Sequence, residues 1–255
     1  NNALVGINKP MTPAGTVNDG NGGANYNVTF VPANVGVITQ KGLDVTGLSA
    51  PSQVYDQGTS ATIMGAPALS GIIGLDVVTI GGVAAGNHNT ANVGATTVTV
   101  TGLSLGGADM ANYSINPIVL NSSITAYPVT VTATPGQSKI YGDADPVFAY
   151  TSTGLLVGDS FTGSLTRDPG TNVGVYNITE GTLTAGSNYD ITFVGTTFAI
   201  NPKPITVTAN AAQTKVYGQT DPIFSYTPTP ALVGGDSFSG ALSRVAGENI
   251  GSYAI

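Results

Sequence analysis

A single histidine, His88, stands in the polar run Gly86-Asn87-His88-Asn89. One imidazole cannot make a multi-histidine zinc site, and a Ser-His-Asp arrangement would need Ser and Asp brought to it, so His88 is expected to be a surface loop residue. Carboxylates offer more. Asp143 and Asp145 lie two apart after Tyr141-Gly142, with Asp159 one strand further on. Alternating carboxylates in a turn can ligate calcium, which takes roughly six to eight oxygens and tolerates loops. These three are therefore calcium candidates, set against plain turn chemistry. The equivalent positions later in the chain are Gln219, Asp221 and Asp236. Loss of the carboxylate at Gln219, and the proline that follows Asp145, favour the turn. Asp19 and Asn21 in Asn18 to Gly23 have the opening spacing of a calcium loop, but no Glu stands at its twelfth position.

Other chemistry is poorly provided for. Tyr141 and Tyr217 precede glycines and could stack on sugars, yet the chain has no Trp and only 7 % aromatic residues. Rings packed on a sheet, with hydroxyls bonded to backbone, are the expected role. The Gly-rich segments lack a P-loop Lys and a Gly-x-Gly-x-x-Gly that leads from strand to helix, so phosphate binding is not supported. Nor is there a paired-carboxylate or histidine-based hydrolytic site. The expectation is a non-enzymatic chain with no catalytic residue and no cofactor apart from the calcium candidates.

Composition agrees. Charged residues make up 8 % of the chain, against about a quarter in ordinary domains. A net charge of -7 excludes a basic nucleic-acid footprint. With no cysteine, disulfides and thiolate metal sites are ruled out. No run approaches the ~18 to 20 apolar residues of a membrane-spanning helix. A surface solvated by Thr, Ser, Asn and backbone fits an extracellular setting. The start at Asn1 without a leader and the stop at Ile255 inside a repeat predict a piece of a longer polypeptide.

The elements that position these residues recur. Ile38, Ile124 and Ile200 open equivalent stretches, as do Leu43/Val129/Ile205, Val45/Val131/Val207 and Tyr55/Tyr141/Tyr217, at offsets of 86 and then 76 residues. Such a period marks a tandem array. In the last copy Ile205, Val207 and Ala209 alternate with Thr206 and Thr208, which predicts a half-buried strand. Leu75 to Val83 and Thr96 to Thr101 read as strands in the same way. No helical periodicity survives the 35 glycines and 15 prolines.

The repeats divide the chain into four pieces. Residues 1–40 are the tail of a module, with Asn25 to Phe30 matching Asn188 to Phe193. Residues 41–126 are one complete module and 127–202 a second, shorter by ten residues lost from three loops. Residues 203–255 open a third copy, ending where Tyr253-Ala254-Ile255 matches Tyr176-Asn177-Ile178. The predicted fold is all-β: small antiparallel sandwiches of immunoglobulin-like kind set end to end as an extended rod. β-grasp-like modules are the alternative. Pro128, Pro202 and Pro204 stiffen the joints.

The motifs resemble two known families. Val54-Tyr55-Asp56-Gln57-Gly58-Thr59, with Gly107 to Tyr113, is similar to the YDG domain, although Gln57 interrupts the Tyr-Asp-Gly order. Tyr141-Gly142 with Asp145-Pro146 and Tyr217-Gly218 with Asp221-Pro222, each followed by Gly-Asp-Ser-Phe, resemble MBG domains. Both families occur in large bacterial surface adhesins of filamentous-haemagglutinin-like kind. The resemblance implies a secreted, cell-surface repeat stalk that projects a distal activity. Its partners would be the neighbouring repeats, and an unidentified receptor or glycan at the far end. The alternative is that the repeats are themselves adhesive or associate laterally into extracellular fibres.

Overall fold

A computed structural model describes residues 4–255; the first three residues of the predicted opening piece lie outside the described residues. The chain divides into two compact units. One comprises Asn1–Pro128 with Gly186–Asp190, the other Val129–Ala185 with Ile191–Ile255. Strands dominate both. Among the described residues the sole helical element is the 3-10 turn Met110–Asn112, so the helix of a β-grasp is not there.

In the first unit, β1 (Gly6–Met11) and β2 (Ala33–Ile38) form a two-stranded antiparallel ribbon. Then follow β3 (Lys41–Ser49), β4 (Gln53–Val54), β5 (Ser60–Ala61), β6 (Met64–Ser70), β7 (Thr79–His88), β8 (Gly94–Gly106), β9 (Tyr113–Ile115) and β10 (Ile118–Thr125). They build a five-stranded sheet, β4-β10-β8-β7-β5, and a three-stranded one, β6-β3-β9. The alternation in Thr96 to Thr101 orients β8 as expected. Thr96, Val98 and Val100 are buried while Thr99 and Thr101 face water. Val98, Val100 and Ile118 pack with Val45 and Leu48 of β3 and Ile115 of β9, so the core lies between the two sheets.

Two expectations need correcting. The strand predicted from Leu75 begins at Thr79; Leu75 lies in an exposed turn held by the bond from Asp76 N to Ile73 O. The stretch Asn25 to Phe30 forms no strand, although its match Asn188 to Phe193 does. That match pairs with the first strand of its own module, and residues 4–40 hold no such partner.

The second copy supplies β11 (Tyr127–Ala133), β12 (Ser138–Ile140), β13 (Tyr150–Thr153), β14 (Thr166–Arg167), β15 (Gly174–Thr179), β16 (Tyr189–Val194) and β17 (Thr197–Asn201). These form the sheets β13-β11-β16 and β12-β17-β15-β14. Val129, Val131 and Ala133 bury one face of β11, and Phe148, Leu165, Ile178, Phe198 and Ile200 complete the core. In this copy β11–β13, β14–β15 and β15–β17 are antiparallel, while β12 runs parallel to β17, as β3 does to β9 and β4 to β10.

The third copy repeats only the opening ribbon, β18 (Thr206–Ala209) with β19 (Tyr226–Thr229). Its register copies the second module pair for pair: Thr130↔Thr153 becomes Thr206↔Thr229, and Ala133↔Tyr150 becomes Ala209↔Tyr226. The alternation is the same but its burial is not. Val131 is fully buried and Val207 is 42 % exposed, because no closing strands cover that face in residues 203–255. Connections between copies are short: Ala126 alone separates β10 from β11, and residues 202–205 separate β17 from β18.

Candidate functional site

The most constrained polar group in the second unit is a clasp around the Asp of the Asp-Pro pair. In the second copy Asp145 takes Lys139 Nζ at 2.6 Å and Arg167 in a fork, Nε at 2.7 Å and Nη2 at 3.1 Å. Arg167 Nη1 also donates to the Asp168 carbonyl at 2.8 Å. The guanidinium lies over the Tyr176 ring at 4.9 Å and the Phe198 ring at 5.5 Å. Such a planar, bidentate cation is the arginine role that lysine cannot fill. Arg167 first, then Lys139, holds the Asp145 carboxyl below its usual range.

The third copy rebuilds this clasp. Asp221 takes Lys215 Nζ and Arg244 Nε, each at 2.9 Å, and Arg244 lies over Tyr253 at 4.9 Å. Glu248 adds a second carboxylate, bonded to Lys215 and Arg244 at 2.9 Å each. Lys215, then Arg244, lowers the Asp221 carboxyl. The Gln of each copy ties the turn beneath. Gln137 Nε2 donates to Thr134 O and Ala149 O, and its Oε1 accepts from Ala149 N at 2.7 Å; Gln213 does the same with Asn210 and Ser225.

The calcium candidates therefore have distinct surroundings. Asp145 is an ion-pair centre. Asp143 offers its carbonyl to Lys139 Nζ at 3.0 Å, and Asp159 N donates to Leu156 O in a separate turn. Among the described residues no three His, Cys, Asp or Glu side chains gather as a metal site needs. Asp19 accepts the backbone N–H groups of Asn21, Gly23 and Asn25, and those of Gly23 and Asn21 lower its pKa most.

The motif tyrosines do other work than predicted. The Asp236 carboxylate of the third copy lies beside the Tyr141 hydroxyl and pushes its pKa up. Gly142 approaches Val233 so closely that a Cβ there would sit 2.5 Å from Val233 Cγ2. Tyr217, with no later copy to meet it among the described residues, is 69 % exposed. In the first unit Tyr55 is buried and meets Tyr189 edge to face at 5.6 Å, with Tyr127 on the other side of Tyr189 at 6.3 Å. Val93 N donates to Asn188 Oδ1 at 3.0 Å beside them. The tyrosine before the turn is thus a joint residue, reaching from one copy to residues of the next.

The turn itself explains the motif. The residue after Tyr141, Tyr217 or the Tyr55-Asp56 pair has positive φ: +91° at Gly142, +82° at Gly218 and +67° at Gln57. Glycine meets that demand at least strain. Asp56 braces its turn by accepting Gly58 N at 2.8 Å and Gln53 Nε2 at 2.9 Å. The module's second motif is a clamp: Tyr113 OH donates to Asp76 at 2.6 Å and accepts Ile73 N, while Asp109 Oδ2 accepts Val77 N at 2.8 Å.

His88 is a further correction. It ends β7 on the core side and is 4 % exposed, with its backbone N–H bonded to Thr59 O at 2.7 Å and both ring nitrogens without a hydrogen-bond partner among the described residues. The residues that sequence reasoning missed are Lys139, Arg167, Lys215 and Arg244. A signal existed. The chain has seven Lys and Arg, and these four occupy repeat-equivalent positions.

The molecule is a tandem array of small β modules whose turns are locked by a recurring set of side chains. The YDG domain matches residues 39–120, and the MBG domain of YGX type matches residues 129–199 and 205–255. A search of the curated proteins found no match.

Proposed function

We propose that this chain is a length of the stalk of a secreted bacterial cell-surface adhesin or surface filament, acting without catalysis to hold a distal activity away from the cell. The observation that carries this reading is the joint. A last strand passes into the next module's first strand through Ala126 alone, with Tyr55 and Tyr127 packed on Tyr189 beside it. A connection that short leaves little slack for hinge motion. Modules so joined add length in proportion to their number. The Asp clasps and Tyr-Asp bonds give each cysteine-free module closures that do not depend on an oxidant.

Small-angle X-ray scattering of the full chain tests the proposal. A stiff array of modules about 35 to 45 Å long, from strands of five to ten residues, gives a maximum dimension above ~100 Å. A radius of gyration near 18 Å, the value for a single globule of this length, would rule the stalk out.

A further inference from the structure

Seven lysines and arginines stand in 255 residues, and they occupy three kinds of place. Four are the cations of the two clasps. Lys139 and Arg167 keep only 11 % and 9 % of their side chains in water, and Lys215 and Arg244 are held in the same way on Asp221. Lys41 opens β3, the middle strand of β6-β3-β9; it pairs with Tyr113, and Leu43 two residues on is fully buried. The remaining two, Lys9 and Lys203, are each followed by proline, Pro10 and Pro204. With 15 prolines in 255 residues, only about one residue in seventeen precedes a proline, so composition does not account for both.

Lys203 is the residue that secondary structure shields least. It lies in residues 202–205, which form no strand between β17 and β18, and such connections are where chains are ordinarily nicked. When a serine protease breaks the C–N bond, its imidazole delivers a proton to the leaving nitrogen. Proline carries a ring carbon on that nitrogen in place of hydrogen and fixes φ, so the Lys203–Pro204 bond resists where its surroundings would not. The clasps act on a different step. A protease for basic residues draws the side chain into a pocket with a carboxylate at its base. Arg167 already occupies one: the Asp145 fork at 2.7 and 3.1 Å, beside the Tyr176 ring. An enzyme must break that pairing before it can bind.

We propose that this chain is closed to proteases that cut after lysine or arginine. Proline guards Lys9 and the joint at Lys203, the sheet covers Lys41, and the clasps withhold the other four side chains. The resistance is a property of the modules themselves and holds whether or not the array serves as a stalk.

Trypsin digestion of the full native chain, read by intact mass, tests it, with the chain unfolded in urea as the measure of enzyme activity. The native chain is expected to stay whole while the unfolded one is cut at its other basic residues but not after Lys9 or Lys203. Pro204→Ala should release fragments 1–203 and 204–255 at least about tenfold faster than wild type is cut anywhere. Lys203→Gln combined with Pro204→Ala should restore resistance. Asp145→Asn should open Lys139 or Arg167 to trypsin, while subtilisin, which needs no basic side chain, cuts that module no faster. The proposal is overturned by cleavage of the native wild type after any of the seven, or by a Pro204→Ala chain as resistant as wild type. It is equally overturned if Asp145→Asn leaves both residues uncut, or speeds both enzymes alike as general unfolding would.

Discussion

The Arg167 guanidinium lies 5.5 Å from the centroid of Phe198 while its fork holds Asp145. Ion pair and core are therefore coupled: the closing strand that buries Phe198 also covers the cation and strengthens its pairing by excluding water. Arg244, at the equivalent position, pairs with Asp221 and lies over the Tyr253 ring.

Removing the ring should collapse that coupling. Phe198 has no exposed surface, and Phe198→Ala is expected to destabilise the second copy by about 4 kcal/mol, the usual range for deleting a buried aromatic. Urea unfolding followed by segment-resolved hydrogen exchange reads it. The loss should centre on β12, β15 and β17. Unchanged protection there would contradict the role given to Phe198.

The clasps should respond unequally to loss of their aspartates. Asp145→Ala leaves Arg167 almost buried without a carboxylate, an expected loss of about 2 kcal/mol after allowing for the partial exposure of the pair. Asp221→Ala leaves Glu248 still bonded to Lys215 and Arg244, so a smaller effect is expected. Equal losses in thermal melts would show that Glu248 does not substitute.

Acid should act on the same groups. Asp145 and Asp221 have folded-state pKa values below their unfolded ones. Folding therefore releases protons at these sites, and their stabilisation is complete above the unfolded value of about 3.9. It is lost as pH falls through the lowered folded values. Wild type should lose melting temperature steeply below pH 4, and Asp145→Asn should flatten that slope. A variant as acid-sensitive as wild type would place the titrating groups elsewhere.

Much of this was legible where one physical rule dominates. The alternation read at Ile205, Val207 and Ala209, carried back by the repeat offset to Val129, Val131 and Ala133, set the buried face of β11 because side chains alternate across any strand. In the third copy itself the strand starts one residue later, at Thr206, and Val207 is exposed. What escaped were relationships between residues far apart in sequence. Lys139 and Asp145 are near neighbours, but Arg167 arrives from another strand, and Asp236 reaches Tyr141 from the following copy. His88 was misplaced for a related reason. Its flanking asparagines read as loop, yet its register against Val98 turns it inward.

That buried histidine invites a direct substitution. An imidazole with two unpaired nitrogens, enclosed at the end of β7, loses hydration that nothing in the fold restores. His88→Leu, close in volume and apolar, is expected to stabilise the module of residues 39–120 by about 1 kcal/mol. Chemical denaturation with protection read on β7 and β8 decides it. A clear loss of stability would mean that the imidazole is held by bonds of its own.

The glycines of the two Tyr-Gly turns separate backbone strain from contact between copies. Gly142 and Gly218 have nearly the same positive φ, so alanine at either should cost about 1 kcal/mol from the left-handed conformation alone. Only at Gly142 would the new methyl meet Val233, whereas the space at Gly218 is open. Gly142→Ala is therefore expected to cost about 1 kcal/mol more than Gly218→Ala, within the range for overpacking. Val233→Ala should recover that difference when combined with Gly142→Ala, and should leave the cost of Gly218→Ala unchanged. Additive losses for the Gly142 and Val233 pair in denaturant titrations would mean that the third copy does not press on the Tyr-Gly turn of the second.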